Sequence, residues 1–377
     1  MSDCRHGHNN QLIDSFPTTL HMSTTQAATN LSIGNVEIGF PVVQAALSGY
    51  SDWPMRVIAK RHGASYMICE VMLDKFLVEL KERKRTSHFL HISDEEHPVG
   101  GQLMGSEPDS FAEGARKLVD AGFDIIDINF GCPVKKVLGK CRGGYHLGQP
   151  KIALEIVKKT RDTVPANIPV TVKMRRGIDD SQESRDHFFE ILDGAFSLGV
   201  AGITVHGRTV KQKYIGPSKW DFLREVKRHV GEKVILGSGD LFTPESCFEM
   251  IQETGVDGVT VARGAIGNPW IFEQARAISE GRPKPNPPGL HRQRDVIKEH
   301  YQLAEEIYGE RVGPMMRKFG IKYSALHPEH VEVRKAFTKV KDFSQWNAVL
   351  DKWYAEDLPG VFPDGRLHKA QGSCENG

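Results

Sequence analysis

The sequence predicts a (β/α)8 barrel followed by a small helical domain, and three observations carry that expectation. Eight short apolar runs of strand length recur through the first two thirds of the chain. Between them lie stretches with the 3.6-residue apolar period of amphipathic helices. The runs end in glycines and polar or basic residues, the pattern expected where parallel strands open on a shared ligand face.

Taken in order, residues 1–30 are rich in Ser, Thr, Asn and His without a sustained apolar period, and are expected to form a disordered tail. Cys4, His6 and His8 lie there without the further ligands that a metal needs, so no metal site is expected. The strand candidates are Pro41 to Ala46, Tyr66 to Glu70, Val99 to Met104, Phe123 to Asn129, Val170 to Met174, Gly202 to His206, Lys233 to Gly237, and Gly258 to Ala262. Helical periods separate them: Phe111, Ala115 and Leu118 fall in step, as do Phe188, Ile191, Leu192 and Phe196. Together they place the barrel within residues 31–280. A doubly wound open sheet is the alternative, but it would carry a glycine fingerprint in its first turn, and that turn reads AALSGYSD.

The Pro-rich stretch from Gly281 to Gly289 breaks the rhythm and reads as a linker. Beyond it, Val296, His300, Leu303 and Ile307 share one face of a helix, and Met315 to Tyr323, Val331 to Val340 and Phe343 to Tyr354 are also helix-like. Residues 290–356 are therefore expected to be a helical domain, whose Arg317, Lys318, Lys322, Arg334, Lys335, Lys339 and Lys341 offer a surface for a nucleic-acid backbone. Residues 357–377 read as a flexible tail.

Composition sets limits. In 377 residues, 49 basic side chains nearly cancel 48 acidic ones, so any polyanion must be met by local patches. The six cysteines show no CxxC pair, which points to a reducing cytoplasm. No apolar run approaches the ~20 residues of a membrane helix, and no signal peptide is visible.

The chemistry is placed by the strand ends. The fourth run leads straight into Gly131, Cys132 and Pro133, with Lys135, Lys136, Lys140 and Arg142 behind them, so a reactive thiol at the ligand face is expected. The third run carries Gln102, the fifth Lys173, and the sixth ends in His206 with Arg208 close behind. The seventh ends in GSGD, giving Ser238, Gly239 and Asp240, and the eighth supplies Ala262, Arg263 and Gly264. Glycines in the last two βα loops are the usual phosphate cradle of barrels, which suggests a phosphorylated ring cofactor across the mouth.

Several stretches resemble a known family, the tRNA-dihydrouridine synthases, and its bacterial branch most closely. DINFGCPVKKV is similar to the signature around that family's catalytic cysteine, HGRTVKQKYIGPSKW to its His-Gly-Arg segment, and SGYSDWPMR to the loop after its first strand. The resemblance runs from about Val36 to Tyr354. It implies a cytoplasmic, monomeric enzyme that binds flavin mononucleotide (FMN), takes electrons from NADPH or NADH, and saturates the C5–C6 bond of uridines in tRNA. By motif match Cys132 is the proton donor to C5. Ala46, Leu47, Ser48, Gln102, Lys173, His206, Ser238, Gly239, Asp240, Ala262 and Arg263 would line the cofactor, while Asn129, Lys136 and Arg208 would meet the substrate.

The target base must be flipped out of its stack to reach a flavin. Lys81 to Arg85, Lys135 to Arg142, Arg175, Arg176, Lys211 and Lys213 are expected to hold the backbone, with Tyr145, Tyr214 and Trp220 as stacking faces. The chain departs from the family pattern at Ala45 to Gly49, where Ala-Pro-Met-Ala-Gly is usual, at Gly143 to Leu147, and at Ser238. Two other functions remain open at this stage: a flavin-dependent reductase of a free pyrimidine, and a tRNA-binding protein with impaired catalysis.

Overall fold

The computed structural model describes residues 30–80 and 86–363. The expected tail before residue 30, the basic run Lys81 to Arg85 and the end of the expected C-terminal tail lie outside those residues.

Eight parallel strands close on themselves: β1 (Val42–Gln44), β2 (Met67–Ile68), β3 (Val99–Met104), β4 (Ile125–Phe130), β5 (Val170–Arg175), β6 (Gly202–His206), β7 (Ile235–Ser238) and β8 (Gly258–Val261). Each pairs with its neighbours in order, β8 pairs with β1, and β2 pairs with both β1 and β3, which shuts the barrel. A further pair, Met72–Leu73, extends the edge of β3 at Leu103 and Met104.

The strand interiors follow the period of two that a barrel demands. On β4, Ile126, Ile128 and Phe130 pack in the core between strands and helices, which turns Asp127 and Asn129 inward. The same alternation turns Val170, Val172 and Met174 outward on β5 and leaves Thr171, Lys173 and Arg175 inside. The outer helices include α1 (Trp53–Arg61), α2 (Asp74–Glu79), α3 (Pro108–Asp120), α4 (Lys135–Leu138), α5 (Pro150–Thr163), α6 (Gln182–Ser197), α7 (Trp220–Val230), α8 (Pro244–Thr254) and α9 (Trp270–Ser279). Their starts are written in the sequence: Ser181 accepts from the Ser184 N–H at the head of α6, and Thr243 does the same for Ser246 before α8. Phe111, Leu118, Phe188 and Ile191 are wholly buried on their inner faces, each contributing about 1.5–3 kcal/mol.

An element not anticipated from the sequence closes the other end. Leu31–Ile33 and Val36–Gly39 form an antiparallel hairpin whose Leu31, Ile33 and Ile38 pack with Val43, Tyr66, Ile125 and Leu236. Its signal was present as alternating apolar residues around Gly34-Asn35, a two-residue turn in which Gly34 takes a φ of 60°.

After residues 282–289, which form neither helix nor strand, come α10 (Leu290–Tyr308), α11 (Val312–Tyr323), α12 (His330–Thr338) and α13 (Phe343–Trp353). This layer is pinned to the barrel beside β1. The Tyr308 hydroxyl donates to Asp52 at 2.9 Å, and the Lys318 ammonium donates to the Gly49 carbonyl. Burial pushes the Asp52 carboxyl up to about 6 against the pull of Lys318 and Tyr308. Lys318 also lies over the Tyr50 and Phe319 rings. It therefore belongs to the junction and not to the free basic surface expected from sequence. Lys335, expected on the same surface, is paired with Glu332 at 2.7 Å.

Candidate active site at the mouth of the barrel

Cys132 follows β4 at its carboxyl end, and its main chain is held on both sides. The Gly131 N–H donates to Asn129 Oδ1 at 2.9 Å, the Gly131 carbonyl accepts from Arg175 Nε at 2.9 Å, and the Cys132 carbonyl accepts from the Gly144 N–H at 3.0 Å. The returning loop passes so close that a Cβ on Gly143 would stand 2.7 Å from that of Cys132, and Gly143 has a φ of 59°. Only glycine fits both demands. The thiol is half-buried, and burial pushes its pKa up, against weaker opposing effects of the Val134 N–H, Arg175 and Lys173. At neutral pH it is protonated.

Behind Cys132 runs a chain of amides. Asp127 accepts from Thr171 Oγ1 and Gln102 Nε2, both at 2.6 Å, and Gln102 Oε1 accepts from Asn129 Nδ2 at 2.8 Å. Asn129 then accepts from Gly131. Lys173 sits on the next strand, and its ammonium has no hydrogen bond or ion pair among the described residues. Burial, then Arg175, lowers its pKa to about 8, while Asp127 and Cys132 work the other way.

The β6 to β8 side is cationic. Burial, followed by the charges of Arg175, Lys173, Arg208 and Arg263, holds His206 well below the usual range, so it is neutral. Its Nδ1 accepts from the Arg208 N–H at 3.2 Å, which assigns the proton to Nε2. The Arg208 guanidinium is buried, donates to the Gly216 carbonyl, and meets both Asp240 oxygens at 2.8 and 2.7 Å. Its Nη1 has no partner among the described residues. Asp240 in turn accepts from the Ser218 N–H at 2.9 Å and lies 3.8 Å from Arg263. Arg263 lies over the exposed ring of Tyr214, 4.7 Å from its centre, and Arg175 approaches the same ring at 5.5 Å. Gly239 has a φ of 118°, and a Cβ there would stand 2.5 Å from Ser218 Oγ.

Comparison with known proteins gives the family. The family model described as Dihydrouridine synthase (Dus) matches residues 43–357. The chain belongs to the dihydrouridine synthase family. It is 37% identical to a probable tRNA-dihydrouridine synthase of Rickettsia typhi over 314 residues, covering 83% of this chain and 94% of that one. It is 31% identical to tRNA-dihydrouridine synthase B of Xanthomonas axonopodis pv. citri, covering 88% of this chain and 98% of that one. Among solved structures, histamine dehydrogenase from Rhizobium sp. 4-9 is similar in fold, with a TM-score of 0.53 and 15% identity over 74% of this chain and 51% of that one. A 2-naphthoyl-CoA reductase gives a TM-score of 0.54 with 13% identity over 68% of this chain and 52% of that one. The chain thus spans about half the length of those two enzymes, and the likeness is one of barrel fold.

Within this dihydrouridine synthase, Cys132, Asn129, Gln102 and Lys173 lie on the β3 to β5 side of the mouth, with His206, Ser238, Gly239, Ala262 and Arg263 on the β6 to β8 side. Ala46 and Leu47 are half-buried and Ser48 exposed in the loop after β1, and Lys136 is exposed on α4. Arg208 and Asp240 are largely committed to one another. Arg175 and Arg176, expected to face RNA, are buried instead. Arg175 ties the Gly131, Thr209 and Lys213 carbonyls together, and Arg176 holds the Gly207 carbonyl, Asp180 and Gln212. Among the possible stacking faces, Tyr214 is 48% exposed, whereas Trp220 packs against the core. A cavity of about 290 Å³ lies away from Cys132, between the starts of α6 and α7, where Arg176 and Lys219 are matched by Asp180. Among the described residues no cluster could hold a metal ion, and no helix is long and apolar enough to cross a membrane.

Proposed function

We propose that this dihydrouridine synthase reduces the C5–C6 bond of uridines in tRNA, in the cytoplasm and as a monomer, with FMN as its cofactor and NADPH or NADH as reductant. The observation that carries this reading is a protonated, half-buried thiol on a rigid loop at the mouth, facing a rim rich in guanidinium groups.

The rim fits a phosphorylated flavin. Arg263 retains exposed guanidinium surface, Gly239 keeps the backbone bare, and the Arg208 Nη1 group lacks a protein partner among the described residues. Lys173 and the Nε2 proton of His206 offer donors toward a pyrimidine edge, and Gln102 and the loop Ala46 to Ser48 complete the lining. When bound and reduced, FMN supplies the hydride that C6 of the base receives. The remaining chemistry falls to the chain. As negative charge develops on the uracil carbonyl, Cys132 transfers its proton to C5, forming the C–H bond and leaving a thiolate that takes a proton back from solvent. Burial keeps the thiol protonated until then, and Arg175 and Lys173 ease the charge on sulfur afterwards. Asn129, Lys136 and Tyr214 would hold the flipped nucleotide.

Incubating purified protein with NADPH and either unmodified tRNA or free uridine tests this reading. Dihydrouridine in the tRNA alone is expected. Equal turnover of the free base would favour the small-molecule reductase, and bound tRNA with no turnover would favour a binding protein.

A further inference from the structure

We propose that Asp127, which is 1% exposed and so touches neither base nor cofactor, is a positioning residue that fixes the direction of the amide chain holding the Cys132 loop. This rests on the function proposed above. A carboxylate accepts hydrogen bonds and donates none, so Asp127 compels Gln102 to turn its nitrogen inward. The Gln102 oxygen then faces Asn129 and compels that side chain to present its own nitrogen. Only the Asn129 oxygen is left for the Gly131 N–H, one residue before Cys132. Thr171 Oγ1 holds the second carboxylate oxygen and sets the carboxylate plane.

Each link has one polarity, and the charged end decides it. A free glutamine or asparagine amide could rotate by half a turn at little cost. Here, reversing Gln102 would set its oxygen against the Asp127 carboxylate and its nitrogen against the Asn129 nitrogen, and reversing Asn129 would set its oxygen against the Gln102 oxygen and leave the Gly131 N–H facing an amide nitrogen. A buried donor or acceptor left unmatched costs enough to hold one arrangement. Each amide nitrogen keeps one N–H that the chain does not use, so the same ordering also fixes on which side of Cys132 those donors lie.

Exchanging the polarity tests the idea. Asp127→Asn can still accept from Gln102 through its one carbonyl oxygen, so it is expected to stay within about tenfold of wild type. Gln102→Glu sets two carboxylates against one another, and a loss of about 100-fold in dihydrouridine formation is expected, with a shifted pH profile for Cys132 alkylation by iodoacetamide, read on its own peptide by mass spectrometry. In the double variant Asp127→Asn/Gln102→Glu, the amide introduced at position 127 donates to the carboxylate introduced at position 102. That carboxylate still accepts from Asn129, so the chain is rebuilt. Recovery of at least about tenfold and a return of the alkylation profile are expected. A double variant no better than Gln102→Glu, or a Gln102→Glu variant that matches wild type on both readouts, would overturn the proposal. Should Gln102→Glu fail to fold, Asp127→Ala replaces it. It should lose the 10- to 100-fold typical of removing a partner that orients a functional ligand, and a wild-type rate and profile there would also overturn the proposal. Wild-type protein that reduces no uridine would sink the function above and not this inference, which the alkylation profiles still judge.

Discussion

On the β3 to β5 side of the mouth, the groups around Cys132 are amides, backbone and a protonated thiol, with the amides and backbone held by hydrogen bonds of defined direction. On the β6 to β8 side, Arg208 and Arg263 stand around Asp240, and together with Arg175 of β5 they keep His206 neutral. The first side can give up a proton and orient a neutral ring. The second can bind an anion and resist protonation of its histidine. On the proposed function, this difference would separate acid chemistry from cofactor anchoring: the effects of Arg175, tied to main-chain carbonyls, and of Lys173 on the thiol are outweighed by its burial.

The largest effect should come from breaking the cationic side. Asp240→Ala leaves the Arg208 guanidinium buried beside the Gly216 carbonyl without its carboxylate, and a loss of about 3–5 kcal/mol in unfolding free energy is expected from denaturant titration. A much smaller loss would show that the pair is solvated and the two sides less distinct. Arg263→Ala should weaken FMN binding about 10- to 100-fold in a fluorescence titration, the worth of a charge-assisted hydrogen bond. Unfolding free energy should hardly change, because Arg263 is partly exposed.

Lys173 stands between the two sides, and its charge depends on pH. With its pKa lowered to about 8, it is cationic below that pH and neutral above, so steps that use its charge should weaken as pH rises through about 8. Lys173→Gln should flatten that limb of the pH–rate profile. The smallest effect is expected at the loop after β6. Lys213→Ala should reduce the salt slope of tRNA binding by about one. Lys211→Ala should reduce it less, because Lys211 already pairs with Asp179 at 2.6 Å.

Much of this was legible in the sequence, for physical reasons that also mark the limits. Strand positions could be read because Ile126, Ile128 and Phe130, or Val170, Val172 and Met174, must be apolar to face the helices. Cys132 could be found because its loop carries its own glycines and proline beside it. The amide chain could not, since Gln102, Asp127 and Thr171 are far apart in sequence and meet only when β3, β4 and β5 align. Charge misled for a related reason. Arg175 and Lys318 read as surface cations, but a guanidinium or an ammonium on a long stem can satisfy carbonyls in the interior or at a junction, and sequence gives no sign of which it will do. The hairpin below the barrel was missed because its strands are three and four residues long, too short to outweigh the polar stretch before them.

Cys132 is proposed to supply the proton to C5 and to do nothing else for the cofactor. The direct measurement is a single turnover in which anaerobically reduced protein is mixed with unmodified tRNA and flavin reoxidation is followed by absorbance. Cys132→Ala should bind flavin and accept electrons from NADPH as wild type does, yet reoxidise about 10²- to 10⁴-fold more slowly with tRNA. Reoxidation at the wild-type rate would contradict the account and leave Cys132 a packing residue.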